Sequence, residues 1–334
     1  MKHTSGNRKL IKAVIAVCLF LLIIISVFIG RYPLKISEIF ASFNSGRSMS
    51  TGTTLLIYYR LPRIILACLT GTALAVSGAT FQGIFRNPMA SPDILGASSG
   101  AAFGASVGIL LGLGSVMTVF FSFVAGLLTV LFVMLIGNGK RGEKTLNLIL
   151  TGILTGSLVS AGTSFVKLVA DPEEKLPEIT YFLMGSLGGA EYSDVLLMLA
   201  ALVTGFIPLY IMRWRLNILS FSDEEALTSG VNTNRLRIVS IVCATILTAS
   251  SVAVCGTISW IGLVIPHFAR KFVGSSFVHL FSASALLGAF FLLLTDDLSR
   301  SLFETEIPIG ILTAIIGAPL FIYLILKGER KNES

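Results

Sequence analysis

Residues 78–96 read Gly78-Ala-Thr-Phe-Gln-Gly-Ile-Phe-Arg-Asn-Pro-Met-Ala-Ser-Pro-Asp-Ile-Leu-Gly96, a polar joint with two prolines between two long apolar runs. Pro88 and Pro92 have no backbone N–H to donate, and each biases the residue before it away from helix. Ser91-Pro92-Asp93 then has the pattern of an N-cap, a first helical position and an acidic first turn for the next apolar run. Irregular backbone survives at membrane depth only where protein or a water-filled path surrounds it. The alternative, a plain hairpin turn at the cytoplasmic face, is equally consistent with these residues.

Working outward, 54% of the 334 residues are hydrophobic and 13% charged, with mean hydropathy +0.86. A soluble domain is about 45–50% apolar and about 25% charged. The chain is therefore expected to be an all-α polytopic membrane protein. At about 20 residues per crossing, ten spans are predicted near 13–30, 64–82, 93–113, 116–137, 146–169, 192–212, 238–256, 258–272, 278–295 and 307–326. The eighth is short and contains Pro266.

The positive-inside rule orients these spans. With the N-terminus inside, Lys2, Arg8, Lys9, Lys12, Arg86, Lys140, Arg141, Lys144, Arg213, Arg215, Arg235, Arg237, Arg270, Lys271, Lys327, Arg330 and Lys331 are cytoplasmic, 17 of the 25 basic residues. Both termini are expected in the cytoplasm. The net charge of +7 is this topology signal, and no nucleic-acid partner is assigned to it. The first span has the basic flank of a signal peptide, but no small-x-small site precedes Gly30-Arg-Tyr-Pro, so it is read as a retained helix.

No polar stretch is long enough for a core of its own, so residues 1–334 form one membrane domain. Its loops at 31–59 and after Asp171-Pro are expected outside, the latter with a helix start. The loop at 219–236 is expected inside. There Ser222-Asp-Glu-Glu225 forms a capping-box pattern with an acidic first turn, and Gly230 supplies a stop. Five residues from Ala75 to Gly96 recur 178 positions later, from Ala253 to Gly274, a match no better than chance in a Gly-rich apolar chain.

Catalytic constellations are sparse. His3, His267 and His279 are not at ligand spacing, and no metal site or cofactor is expected. Cys18, Cys68, Cys243 and Cys255 fall within or at the ends of spans as packing residues. Gly137-Asn-Gly-Lys-Arg-Gly-Glu-Lys-Thr145 would be a phosphate loop but for Glu143 before Lys144, and is better read as a basic turn. The chain is thus expected not to be an enzyme and to carry no ATPase site of its own.

A second irregular element, Gly262-Leu-Val-Ile-Pro-His-Phe-Ala-Arg270, puts Pro266 and His267 inside an apolar run, implying a kink or a broken helix. On the outer side, Arg60, Arg63 and Arg300 oppose the positive-inside bias. They either anchor helices at the headgroups or meet carboxylates of a docking protein.

At Arg60-Leu-Pro-Arg, Ser77-Gly78, Gln82-Gly83, Arg86-Asn-Pro-Met-Ala-Ser-Pro and Ile94-Leu-Gly96 the chain resembles permeases of the iron-siderophore, haem and cobalamin ABC importers. The likeness continues through Met184-Gly-Ser-Leu, Gly262 to Arg270, Val273-Gly274, Glu306-Ile-Pro-Ile-Gly310 and Gly317-Ala-Pro-Leu-Phe321. The resemblance implies a ten-span subunit of the bacterial cell membrane, paired with an identical or paralogous permease. It also implies two cytoplasmic ATPase subunits and an external substrate-binding protein.

Carried over by motif, Arg60, Arg63 and Arg300 would meet the binding protein. Phe221, Ser222, Asp223, Glu224, Glu225 and Ala226 would form the coupling helix that presses into the ATPase. Gln82, Asn87, Pro88, Pro92, Pro266 and His267 would serve as hinge, gate or pathway. The family's Leu-Gly-Glu lead-in and Leu-Gly pair are replaced here by Ser220-Phe-Ser-Asp-Glu-Glu and Ser229-Gly230, and the usual acidic and basic residues after Gly274 are missing.

Ferric siderophore is the expected substrate, with haem or cobalamin as alternatives. An ion-coupled secondary transporter would need carboxylates or lysines in mid-span, whereas Asp93, Lys167, Asp194, Asp296 and Asp297 fall near the ends of the expected spans.

Overall fold

The computed structural model describes residues 5–30, 32, 51–137, 144–218, 232–302 and 305–329. Within them the chain is all-helical. The helices are α1 (Ser5–Phe28), α2 (Thr51–Ile84), α3 (Ala97–Leu110), α4 (Ser115–Gly137), α5 (Lys144–Val169), α6 (Lys175–Met184), α7 (Tyr192–Ile218), α8 (Thr233–Cys255), α9 (Ile261–Val273), α10 (Phe277–Ser301) and α11 (Ile309–Glu329). Each of the ten expected spans coincides with one of them. Seven are long and apolar enough to cross a membrane: α1, α2, α4, α5, α7, α8 and α10. The eleventh, α6, lies in the expected outer loop, where the Asp171 carboxylate accepts from the N–H groups of Glu173 and Glu174 just before the helix begins.

Helices α2 and α8 form the axis of the bundle: 78% and 72% of their most apolar stretches are buried, against 11% for α1 and 17% for α5. Small residues permit that enclosure. A Cβ on Gly71 would lie 2.2 Å from the Gly288 carbonyl of α10, and one on Gly78 would lie 1.8 Å from the Gly262 carbonyl of α9. Lipid tails are as apolar as leucine, so membrane helices associate through such close backbone packing. The core runs along α2, with Phe81, Leu66 and Ile64 meeting Phe281, Leu292 and Leu247. The exposed Leu10, Val14, Val17, Phe20 and Leu21 of α1 form a lipid-facing stripe.

Two of the helices at expected spans are too short to cross. With 14 and 13 residues, α3 and α9 are about 20 Å long, against about 30 Å of hydrocarbon. Irregular backbone makes up the difference before each one. The joint is exposed from Arg86 to Met89 and buried again from Ala90. The chain then turns through a single 3-10 turn, Pro92–Leu95, and a left-handed Gly96 (φ 75°) before α3 starts at Ala97. This corrects the expectation that the third span begins at residue 93 directly behind a Ser91 cap. The proline starts a separate turn, and Gly96 resets the direction.

A Cβ on Gly152 of α5 would lie 2.1 Å from the Ile94 carbonyl. Gly152 is eight residues into α5, about 12 Å along its axis, so the joint packs against α5 about two turns in from its start. Its irregular backbone is enclosed by α5, α8 and α2. Before α9, Gly256 (φ 68°) and Trp260 (φ 72°) break the chain in the same way.

Candidate functional site

The end of the bundle expected to face outside holds a buried ionic network. The α2 helix widens into a π turn at Leu56–Arg60; the added residue rotates the remainder of the helix by roughly 100°. Arg63 Nε donates to Asp296 Oδ1 at 2.9 Å, and its Nη1 donates to both Glu306 oxygens at 2.9 and 3.1 Å. Arg300 Nε pairs with Asp296 Oδ2 at 3.1 Å. Its Nη2 bonds Asp297 and, at 2.8 Å, the Ser26 hydroxyl, which itself donates to Asp297 at 2.7 Å. Arg60 instead donates to the carbonyls of Val27 and Tyr32 at 2.7 and 2.6 Å.

The three arginines therefore do come together, but with their guanidinium groups turned inward. Each is 7–8% exposed, Asp296 is fully buried, and Glu306, with a third of its side chain exposed, forms the rim. Arg63 and Arg300 pair with the three anions Asp296, Asp297 and Glu306, while Arg60 is held by carbonyl oxygens alone. Pairing of this kind is what allows charge to be buried at all. The sequence singles out the arginines by their position and leaves their acids inconspicuous. The i, i+4 spacing of Asp296 and Arg300 is a usable signal; Asp296 and Arg63, 233 residues apart, offer none.

The second cluster joins the joint to the break before α9. Pro266 has no N–H for the Gly262 carbonyl four residues back, and Gln82 of α2 supplies the missing donor. Its amide nitrogen lies 3.3 Å from the Gly262 oxygen and 3.1 Å from that of Leu263. Pro92 packs against the same Gly262. Gln82, Pro92 and Pro266 thus form one contact between two broken segments. Asn87 and Pro88 lie apart from it in the exposed turn, where the Asn87 side chain accepts from Met89 N at 2.9 Å. His267 lies edge-on to Phe321 of α11 with ring centroids 6.0 Å apart. The coupling residues Phe221 to Ala226 lie outside the described residues.

A third arrangement lies toward the same end of the bundle as the ionic network and joins the ends of the broken segments. Ser186 N donates to the Cys255 carbonyl at 2.8 Å, Ile309 N donates to the Gly185 carbonyl at 2.9 Å, and the Thr257 hydroxyl donates to the Leu183 carbonyl. Met184-Gly-Ser-Leu, Cys255-Gly256 and Pro308-Ile-Gly310 are thereby tied into one knot.

Between joint and knot lies a hollow with two lobes. One, of about 200 Å³, is lined by Ser91, Asp93, Ser98, Thr248 and Ser259 on its polar side and by Leu74, Ile258, Trp260 and Leu263 on its apolar side. The other, of about 390 Å³, shares Asp93, Ser98 and Ser259 and reaches Ser160, Thr163, Ser164 and Lys167 of α5. Ser157, Ser160 and Ser164 are exposed along one face of α5, a peripheral helix of this chain. Asp93 is exposed to the hollow, inside the bundle and not at a span end as its place in the sequence suggests. Residue spacing alone could not reveal this, because it is the re-entry of the joint that carries Asp93 inward. Among the described residues, no three histidines, cysteines or carboxylates gather to hold a metal.

A family model described as FecCD transport family matches residues 18–327. The chain is 39% identical over 286 residues to a probable iron chelatin transport system permease protein of Helicobacter pylori, covering 85% of this chain and 86% of that protein. It is 38% identical over 311 residues to a molybdate import system permease of Haemophilus influenzae, covering 92% of each. Its fold is similar to a solved structure described as an inward-facing conformation of a metal-chelate type ABC transporter. That match has a TM-score of 0.87 and 37% identity over 95% of this chain and 99% of the other.

Proposed function

The chain belongs to the FecCD transport family, and from that premise we propose that it passes ferric siderophores across the bacterial cell membrane. It is a multi-pass permease subunit of a type II ABC importer, a transport component without a catalytic domain. Importers of this class carry iron chelates, haem, cobalamin or molybdate. The family implies ATPase subunits, an external binding protein and a permease dimer.

The observation that carries the reading is the hydroxyl-lined hollow running from Asp93 and Ser98 to the exposed face of α5. Half of a water-filled path has this character: polar groups at membrane depth on a helix that its own chain leaves uncovered. A second permease, identical or paralogous, would supply the other wall. Serine and threonine hydroxyls both donate and accept, which suits an oxygen-rich chelate passing without tight capture. The iron-chelate naming of a relative that covers 85% of this chain favours iron over the other cargoes.

The positions of the parts supply the rest of the mechanism. With both termini inside, residues 219–236 face the ATPases, and the Phe221 to Ala226 segment would transmit their closure. The knot at Gly185, Gly256 and Gly310 would hold the outer ends of the broken helices. The Gln82–Gly262 contact would serve as the hinge against which they turn. The arginine network would receive the external protein, with Arg63 exchanging Glu306 at the rim for a partner's carboxylate.

The test is uptake in a strain lacking this chain, supplied in turn with labelled ferric hydroxamate, ferric catecholate, haem, cobalamin and molybdate. Restoration of ferric siderophore uptake by the chain supports the reading. Restoration of haem, cobalamin or molybdate uptake alone overturns the iron assignment and leaves the importer class intact.

A further inference from the structure

A separate groove runs down the outside of the bundle between α4 and α7, with α8 as its floor. Its volume is about 700 Å³, and its walls are Val116, Val119, Phe120, Phe123 and Leu197. The hollow is open below Leu197 because α7 presents the small side chains of Ala200, Ala201 and Thr204 there. Glu191 to Thr204 spans about 20 Å of helix, close to the depth of one leaflet of a bilayer about 30 Å thick. The groove shares no lining residue with the hollow between joint and knot.

Two polar features mark its occupant. At the mouth, Glu191 and Asp194 cap the start of α7: Asp194 accepts from Glu191 N at 3.0 Å, and Glu191 accepts from the Ser193 hydroxyl at 3.3 Å. Those bonds stabilise the carboxylates without neutralising them, and among the described residues neither has a cationic partner. Deeper in, the hydroxyl of Ser250 lines the floor; the residue is 2% exposed and its hydroxyl has no hydrogen-bond partner among the described residues. A buried hydroxyl without a partner costs free energy that an incoming acceptor recovers.

We propose that this groove binds an outer-leaflet phospholipid with a primary ammonium headgroup. The ammonium would lie against Glu191 and Asp194 as a charge-assisted donor. One acyl chain would lie along Phe120, Phe123 and Leu197, and an ester carbonyl would accept from Ser250. An anionic headgroup would meet like charge at the mouth, and a choline headgroup has no N–H to donate.

The test is native mass spectrometry of the full-length permease in detergent with equimolar dioleoyl phosphatidylethanolamine, phosphatidylglycerol and phosphatidylcholine. Phosphatidylethanolamine adducts should exceed each of the others by roughly two- to fivefold, the range set by one or two exposed charge pairs. The E191Q/D194N double variant should erase that preference. Ala200→Trp, at an exposed position that fills the groove without disturbing the core, should remove bound lipid of every kind. Equal adducts for the three lipids on the wild type overturn the proposal, and so does retention undiminished by Ala200→Trp. It is equally overturned if no lipid is retained and a carbodiimide links Glu191 to the 33–50 segment or to a second copy.

Discussion

The amide of Gln82 on α2 donates to the Gly262 carbonyl on α9, 3.3 Å away, the acceptor that Pro266 leaves without a helical partner. One side chain thus compensates for a proline 184 positions distant and fixes the break before α9 to the central helix. Gln82→Leu should strand the Gly262 carbonyl and cost about 1–3 kcal/mol, read as a lowered unfolding temperature in detergent. In a Pro266→Ala background the restored N–H takes over the Gly262 carbonyl, so the same leucine should cost less. Equal losses in both backgrounds would show that the glutamine acts through packing alone.

The ionic network gives a second expectation. Asp296 is fully buried between Arg63 and Arg300, so Asp296→Asn leaves two guanidinium groups facing a neutral amide. Removing one partner of a buried pair costs about 3–5 kcal/mol. Lys175, on the surface beside Glu174 and Glu178 at 3.6 and 3.5 Å, supplies the contrast: Lys175→Ala should cost under about 1 kcal/mol. Thermal unfolding of the two variants side by side measures the difference.

Docking can be separated from stability at Glu306. Its carboxylate holds Arg63 from the rim, with a third of its side chain exposed, and Arg63 keeps Asp296 if that contact is lost. Glu306→Gln should therefore leave the fold intact and, on the docking proposed above, free Arg63 for a carboxylate of the binding protein and strengthen their association. Arg60→Glu with Arg63→Glu, by contrast, sets a carboxylate against the buried Asp296 and should lower the unfolding temperature together with uptake. Surface plasmon resonance with the binding protein checks the first. A weakened complex in Glu306→Gln would mean that Glu306 itself makes the contact.

Much of this architecture was legible in the residues. The spans follow from apolar length, and Pro88 and Pro92 fall where the chain leaves helix, whereas Pro266 lies inside α9, whose break comes earlier, between Gly256 and Trp260. What the residues could not show is depth. Nothing in Ser91-Pro92-Asp93 says that the chain climbs back into the bundle, because that depends on Gly152 leaving room on α5 for the Ile94 carbonyl. The arginines drew notice by opposing the charge bias, yet their burial depends on acids more than 230 residues away in the case of Arg63. Pairing across such a distance is a property of the packed bundle and has no local signature. Gln82 was singled out by family likeness, and only the geometry gave it a physical task.

The knot joining the ends of the broken helices gives an expectation of a different kind. Gly256 adopts φ 68°, and a Cβ there would lie 2.1 Å from the Phe182 carbonyl. Alanine would meet both backbone strain and a clash with main chain that cannot rotate away, so Gly256→Ala should lower expression and unfolding temperature together.

Transport through the hollow can be tested without touching any of these supports. Ser160 is exposed on the α5 face and lines the hollow together with Asp93 and Lys167. Ser160→Phe adds bulk where no packing is disturbed, so unfolding temperature and ATP hydrolysis stimulated by the binding protein should be unchanged. Substrate uptake by the reconstituted importer should fall by about tenfold or more, a barrier increase of about 1.4 kcal/mol. Leu158→Phe, two residues away and also exposed but absent from the hollow's lining, controls for added bulk on the same helix. Equal uptake in Ser160→Phe and wild type would move the path off this face of α5, whereas equal loss in both variants would trace the effect to α5 packing against its surroundings.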